Sequence, residues 1–99
     1  MAILNDVKVA LRIAATTTGF DGEINDLISA AIDDLKLAGV AADKAIDTDP
    51  LIKRAITTYC KAHYGYDNPD AERFLQSYLM LKMHLSLSVD YTEAAVVSP

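Results

Sequence analysis

Residues 69–88 carry apolar side chains at helical spacing on two sides at once. At about 100° per residue, Phe74, Tyr78, Leu81 and Leu85 fall in one narrow stripe, and Leu79, Met80, Met83 and Leu87 fall almost opposite it. A helix that is apolar on two faces is normally buried on both. The first stripe is the expected core. The second is covered either by the rest of the chain or by a neighbouring subunit. Three short helices have little surface to spare, which favours the neighbour, and methionines suit an adaptable contact. Leu79, Met80, Met83 and Leu87 are therefore the candidate subunit interface.

Three further helical segments precede this one, and nothing resembles a strand pair. The first opens near Asn5, a good N-cap, sets Val7, Leu11 and Ala14 on one side, and is expected to end in Thr16-Thr17-Thr18-Gly19. The second follows Asp21, with Ile24, Leu27, Ile28, Ala31 and Leu35 on one stripe, Glu23, Asp26, Asp33 and Asp34 away from it, and Gly39 as its stop. Residues 40–48 form a connector with at most one short turn. Asp49-Pro50 then starts the third helix, an acceptor at the cap followed by proline where its missing N–H costs nothing. Its apolar face is Ile52, Ala55, Ile56 and Tyr59, and Gly65 ends it. Asn68-Pro69 repeats that chemistry for the fourth and longest helix, which runs to about Ser88. The expected fold is all-α, a small four-helix bundle with a domain at 1–88 and a flexible tail at 89–99. Val89–Pro99 mixes Asp90 and Glu93 with small apolar residues, too little surface to offset its own ordering entropy.

Composition narrows what such a bundle can do. With 99 residues the chain owns one modest core, yet 52% of it is hydrophobic, at or above the usual range. That excess hints at burial against other chains. No run reaches the ~20 apolar residues of a membrane span. Residues 1–15 carry Asp6, Lys8 and Arg12, so they read as neither signal peptide nor anchor. The single Cys60 cannot form an internal disulfide and fits a reducing compartment. A net charge of −5 disfavours tight binding to duplex DNA. Charge is also segregated: residues 21–49 hold eight acidic side chains and two lysines, whereas residues 50–64 hold Lys53, Arg54 and Lys61 and no acid. These are either ordinary solvated faces or matching surfaces on neighbouring copies.

No sign of catalysis emerges. The chain lacks a glycine-rich phosphate loop, GxSxG, HExxH and paired cysteines. Cys60, His63 and His84 could approach one another, but three residues with no cleft or oxyanion site make neither a closed zinc site nor a nucleophile pair. No metal, cofactor or enzymatic activity is expected. Tyr59, Tyr64, Tyr66 and Tyr78 surround the junction of the third and fourth helices and suit a core edge or an interface equally. A small helical DNA-binding regulator, or another protein-interaction module, is the alternative class. In a helix-turn-helix the fourth helix would read DNA, yet its first turn carries Asp70 and Glu72.

The order of elements resembles the small head-tail connector, or adaptor, proteins of long-tailed phages and prophages, also known as DNA packaging proteins. The carrying residues are Leu4-Asn5-Asp6-Val7-Lys8-Val9-Ala10-Leu11-Arg12-Ile13, Ile24 to Ile32 with Ala38-Gly39-Val40, Ile52 to Tyr59, and His63-Tyr64-Gly65-Tyr66-Asp67-Asn68-Pro69 with Glu72-Arg73-Phe74 and Ser77-Tyr78. The resemblance spans about residues 3–88. It implies a structural protein of the virion, assembled in the bacterial host cytoplasm. Its copies would form a ring below the portal protein at the capsid vertex, extending the DNA channel and giving a platform for a tail or stopper protein. DNA would pass through without specific binding. Glu23, Asp26, Asp33 and Asp34 would then form an acidic surface, lining the channel or meeting a neighbour. The resemblance brings no catalytic residues.

Overall fold

Helices form in the four stretches that the turn signals divide. The computed structural model describes residues 2–46, 48–65 and 68–92 and contains α1 (Ala2–Ala10), α2 (Asp21–Leu37), α3 (Pro50–His63) and α4 (Ala71–Leu87). Among the described residues there is no strand, only an isolated antiparallel bridge between Val40 and Thr92. The all-α expectation is met. α4 is not longer than α2, since each has 17 residues.

The core lies where α2 meets α1 and α3. Ile24, Ile28, Ala31 and Leu35 of α2 are buried with Ile3 and Val7 of α1 and Ile52, Ala55, Ile56 and Cys60 of α3. Each fully buried aliphatic side chain here contributes about 1.5–3 kcal/mol relative to exposure. α4 packs along α3, bringing Tyr78 and Leu85 into the same cluster. The connector adds Val40 and Ala45 to it, with one turn closed by the Lys44 and Ala45 N–H groups donating to the Ala41 carbonyl.

α1 stops at Ala10, well short of the threonine run, and Asn5 lies inside it rather than at its cap. Arg12 takes a left-handed conformation (φ 65°). Its N–H donates to the Val9 carbonyl and the Ile13 N–H to the Lys8 carbonyl, the Schellman arrangement more often built on glycine. The reason for the early stop is Lys8, only 2% exposed. Its ammonium donates to the carbonyls of Ala15 (3.2 Å) and Thr17 (2.6 Å) and to Asp21 Oδ1 (2.8 Å). An ammonium has three N–H donors, and each has a partner here. Residues 11–20 therefore wrap around a buried charge, and the first residue of α2 supplies its counter-charge.

The other helix ends follow their turn chemistry except at the starts of α2 and α4; α2 begins at Asp21 itself, with Phe20 at the cap and no side-chain cap bond. Gly39 (φ 115°) closes α2 in a Schellman motif, the Val40 N–H donating to the Leu35 carbonyl. Asp49 caps α3 as expected, its Oδ1 accepting from the Leu51 and Ile52 N–H groups, with Pro50 as the first helical residue. Asn68-Pro69 does not open α4, which begins at Ala71. The Asn68 side chain instead accepts from the Asp70 N–H (3.0 Å) and donates to the Lys61 carbonyl (2.7 Å), so it clamps the turn to the end of α3.

Residues 89–92, assigned with the tail from sequence, turn back onto the domain. The Ala41 N–H donates to the Tyr91 carbonyl (2.8 Å) and the Tyr91 hydroxyl donates to the Asp49 carboxylate (3.1 Å). The rest of the tail, 93–99, lies outside the described residues, as do Tyr66 and Asp67.

Candidate interaction surface

Among the described residues α4 packs mainly along α3, and it carries two apolar stripes. Of the inner stripe, Tyr78 and Leu85 are buried and Phe74 and Leu81 half-buried. On the outer side, Leu79 is 39% exposed, Met80 61%, Met83 52% and Leu87 77%. Among the described residues nothing wraps this side. These four residues share one side of the helix, and exposed apolar patches are where another molecule can sit.

The acidic residues of α2 divide into two groups. Glu23, Asp26 and Asp33 are exposed and point away from the core side of the helix. Asp34 does not belong with them. It is half-buried and accepts from the Tyr78 hydroxyl (2.5 Å) and from Lys82 Nζ (3.0 Å), both on α4. Burial raises its pKa, but these two hydrogen bonds and the Lys82 charge outweigh that, and the carboxyl is held below its ordinary value. The same contact works the other way on Tyr78, whose hydroxyl is pushed up first by burial and then by the neighbouring carboxylate. Asp34 is thus the polar link between α2 and α4. No spacing in the sequence points to a partner 44 residues away.

The basic segment is likewise divided by its contacts. Lys53 pairs with Asp6 of α1 at 3.1 Å. Arg54 and Lys61 turn to the other side of α3, opposite Ile52, Ile56 and Cys60, and line an open groove of about 440 Å³ between α3 and α4. Phe74, Met80, Leu81 and His84 form its α4 wall. Lys61 Nζ lies 5.2 Å and the Arg73 guanidinium 5.4 Å from the centre of the Phe74 ring, within cation–π range. The groove was not legible as a site in the sequence, because its walls come from two helices whose packing angle no pattern states. The run of basic residues without an acid in 50–64 was its trace in the sequence.

Cys60, His63 and His84 occupy three separate environments. The Cys60 thiol is buried, and burial pushes its pKa up to about 12, which keeps it protonated and unreactive. His63 packs against Tyr59 with ring centres 4.3 Å apart and planes tilted by 42°, and His84 lines the groove. Among the described residues no three His, Cys, Asp or Glu side chains form a group able to hold a metal. Of the tyrosines, Tyr59 and Tyr78 pack edge to face at 5.1 Å and Tyr64 meets Phe20 at 6.2 Å. Among the described residues no helix is long and apolar enough to cross a membrane.

Among the described residues the molecule is all-α, and one side of α4 exposes apolar side chains. Its sequence matches the family described as "Phage connector protein" over residues 3–92. The chain belongs to that family. Neither a curated protein nor a solved structure matches it. Membership gives this connector protein a structural role in joining phage head and tail, and it makes other components of the virion its partners. The match extends to Thr92, so it takes in the turn that Tyr91 fixes to Asp49.

Proposed function

We propose that this connector protein is one copy of a homo-oligomeric ring below the portal protein at the capsid vertex. There it extends the DNA channel and presents a platform to a tail or stopper protein. The observation that carries this reading is the outer side of α4: a family of structural joints supplies the role, and Leu79, Met80, Met83 and Leu87 supply an apolar face that the described residues leave open. The net charge of −5 suits a channel through which the duplex slides without specific binding, since like charge repels phosphate. Assembly takes place in the host cytoplasm before the finished particle carries the ring.

One helix face is a small contact, and interfaces below about 1,200 Å² are usually weak. Dilute protein is therefore expected to be monomeric or weakly associated, closing into rings at high concentration or on the portal. Replacing Met83→Glu and Leu87→Lys together places two charges on the exposed side of α4. Sedimentation and electron microscopy should then find no rings, while circular dichroism still shows a cooperatively folded helical chain. A double variant that forms rings like the parent, or a parent that makes only a tight two-fold dimer, would remove the basis of this reading.

A further inference from the structure

We propose that the groove between α3 and α4 of one copy receives the acidic outer side of α2 from the next copy. This rests on the ring reading above and names the two surfaces that meet. The groove offers Arg54 and Lys61, seven positions apart on α3 and turned to the same side. The outer side of α2 offers Asp26 and Asp33, also seven positions apart, also turned to the same side, and both exposed. Two helical turns rise about 10 Å, so the two cations and the two carboxylates repeat at the same interval. The apolar parts correspond as well. Leu37, one turn beyond Asp33, is 87% exposed, and Met80 on the groove wall is 61% exposed.

The placement of these surfaces fits a ring. Asp26 and Asp33 face away from the core that α2 builds with α3, and Arg54 and Lys61 face away from the same core on the α3 side. One copy thus carries complementary patches on opposite sides. Such a contact is heterologous: it propagates from copy to copy instead of closing a two-fold pair. The outer side of α4 adjoins the groove through Met80, so the charged and apolar contacts form one continuous surface. A DNA phosphate backbone fits this groove less well, because tight duplex binding uses a larger cluster of cations, and here Phe74, Met80 and Leu81 occupy much of the wall.

The experiment uses two reversed variants of the full chain, Arg54→Glu with Lys61→Glu and Asp26→Lys with Asp33→Lys. Sedimentation and light scattering follow association across a concentration series, alone and on portal protein, and fluorescence anisotropy follows binding to a short DNA duplex. Each variant alone should associate at least about tenfold more weakly than the parent, because like charges then meet across the contact. An equimolar mixture should recover parental association, because each variant then matches the other on both sides. Recovery in the mixture also shows that both variants are folded. Parental association in either variant alone, or no recovery in the mixture, overturns the proposal while leaving the ring reading in place. Duplex binding by the parent that only the groove variant loses overturns it in favour of nucleic acid. A parent that never associates, even on portal, overturns both.

Discussion

α2 and α4 have the same length and opposite relations to the rest of the molecule. In α2, Ile24, Ile28, Ala31 and Leu35 are all buried against α1 and α3, and the outward side is charged. In α4 only Tyr78 and Leu85 are buried, and the outward side carries Leu79, Met80, Met83 and Leu87. The difference is one of neighbours among the described residues: α2 packs extensively against both α1 and α3, whereas α4 packs mainly on α3 and reaches α2 through Tyr78 and Lys82. Periodicity states which side chains require cover, and topology decides whether the same chain can give it. The apolar side of α4 that the described residues leave without cover is the surface the proposed ring would use.

The sharpest way to break that comparison is to shorten one leucine on each helix. Leu35→Ala, at a fully buried position of α2, should lower the unfolding free energy by about 2–5 kcal/mol in urea titration. Leu87→Ala on the exposed side of α4 should change it by no more than about 0.5 kcal/mol, and should weaken association instead. Equal losses of stability from the two substitutions would mean that the outer side of α4 belongs to the monomer core.

A second test bears on why α2 is so completely integrated. Lys8 ties α1 and residues 11–20 to the first residue of α2. Lys8→Met keeps the stem and removes the ammonium, leaving two carbonyls and a carboxylate without their donor. The expected loss is about 3 kcal/mol, with faster amide exchange in residues 11–24. A variant as stable as the parent would show that packing alone holds α1 to α2.

Lys8 also marks where local reading ends. The Asp49-Pro50 signal is complete within a few residues, so it was legible, and so were the stripes of α2 and α3. The end of α1 was not, because it is fixed by a buried ammonium drawing in carbonyls seven and nine residues along the chain. Asn68-Pro69 carries the same two-residue signal as Asp49-Pro50, yet the Asn68 amide is engaged by the Lys61 carbonyl and the helix starts later. The candidate site divides in the same way. The four apolar residues outside α4 follow from periodicity, whereas Asp34 leaves the acidic group through side chains more than forty positions distant, and the groove needs two helices to exist.

The smallest effect expected concerns that link between the two helices. The hydrogen bonds from Tyr78 and Lys82 hold the Asp34 carboxyl below its ordinary value of 3.8. The unfolded chain therefore takes up this proton at a higher pH than the folded one. The stabilisation is fully present above the unfolded value and is lost as pH falls through the lowered, folded value. The Asp34 side chain is 35% exposed, so solvent screens the pair and the contribution is expected to stay under about 1 kcal/mol. Urea midpoints measured from pH 7 down to strong acid should fall more steeply for the parent than for Asp34→Asn, which cannot titrate. Asp33→Asn, one residue away and exposed, serves as the control and should keep the parent's profile. If Asp34→Asn also kept it, the polar contact would not couple α4 to α2, and α4 would be held to the domain by its α3 packing alone.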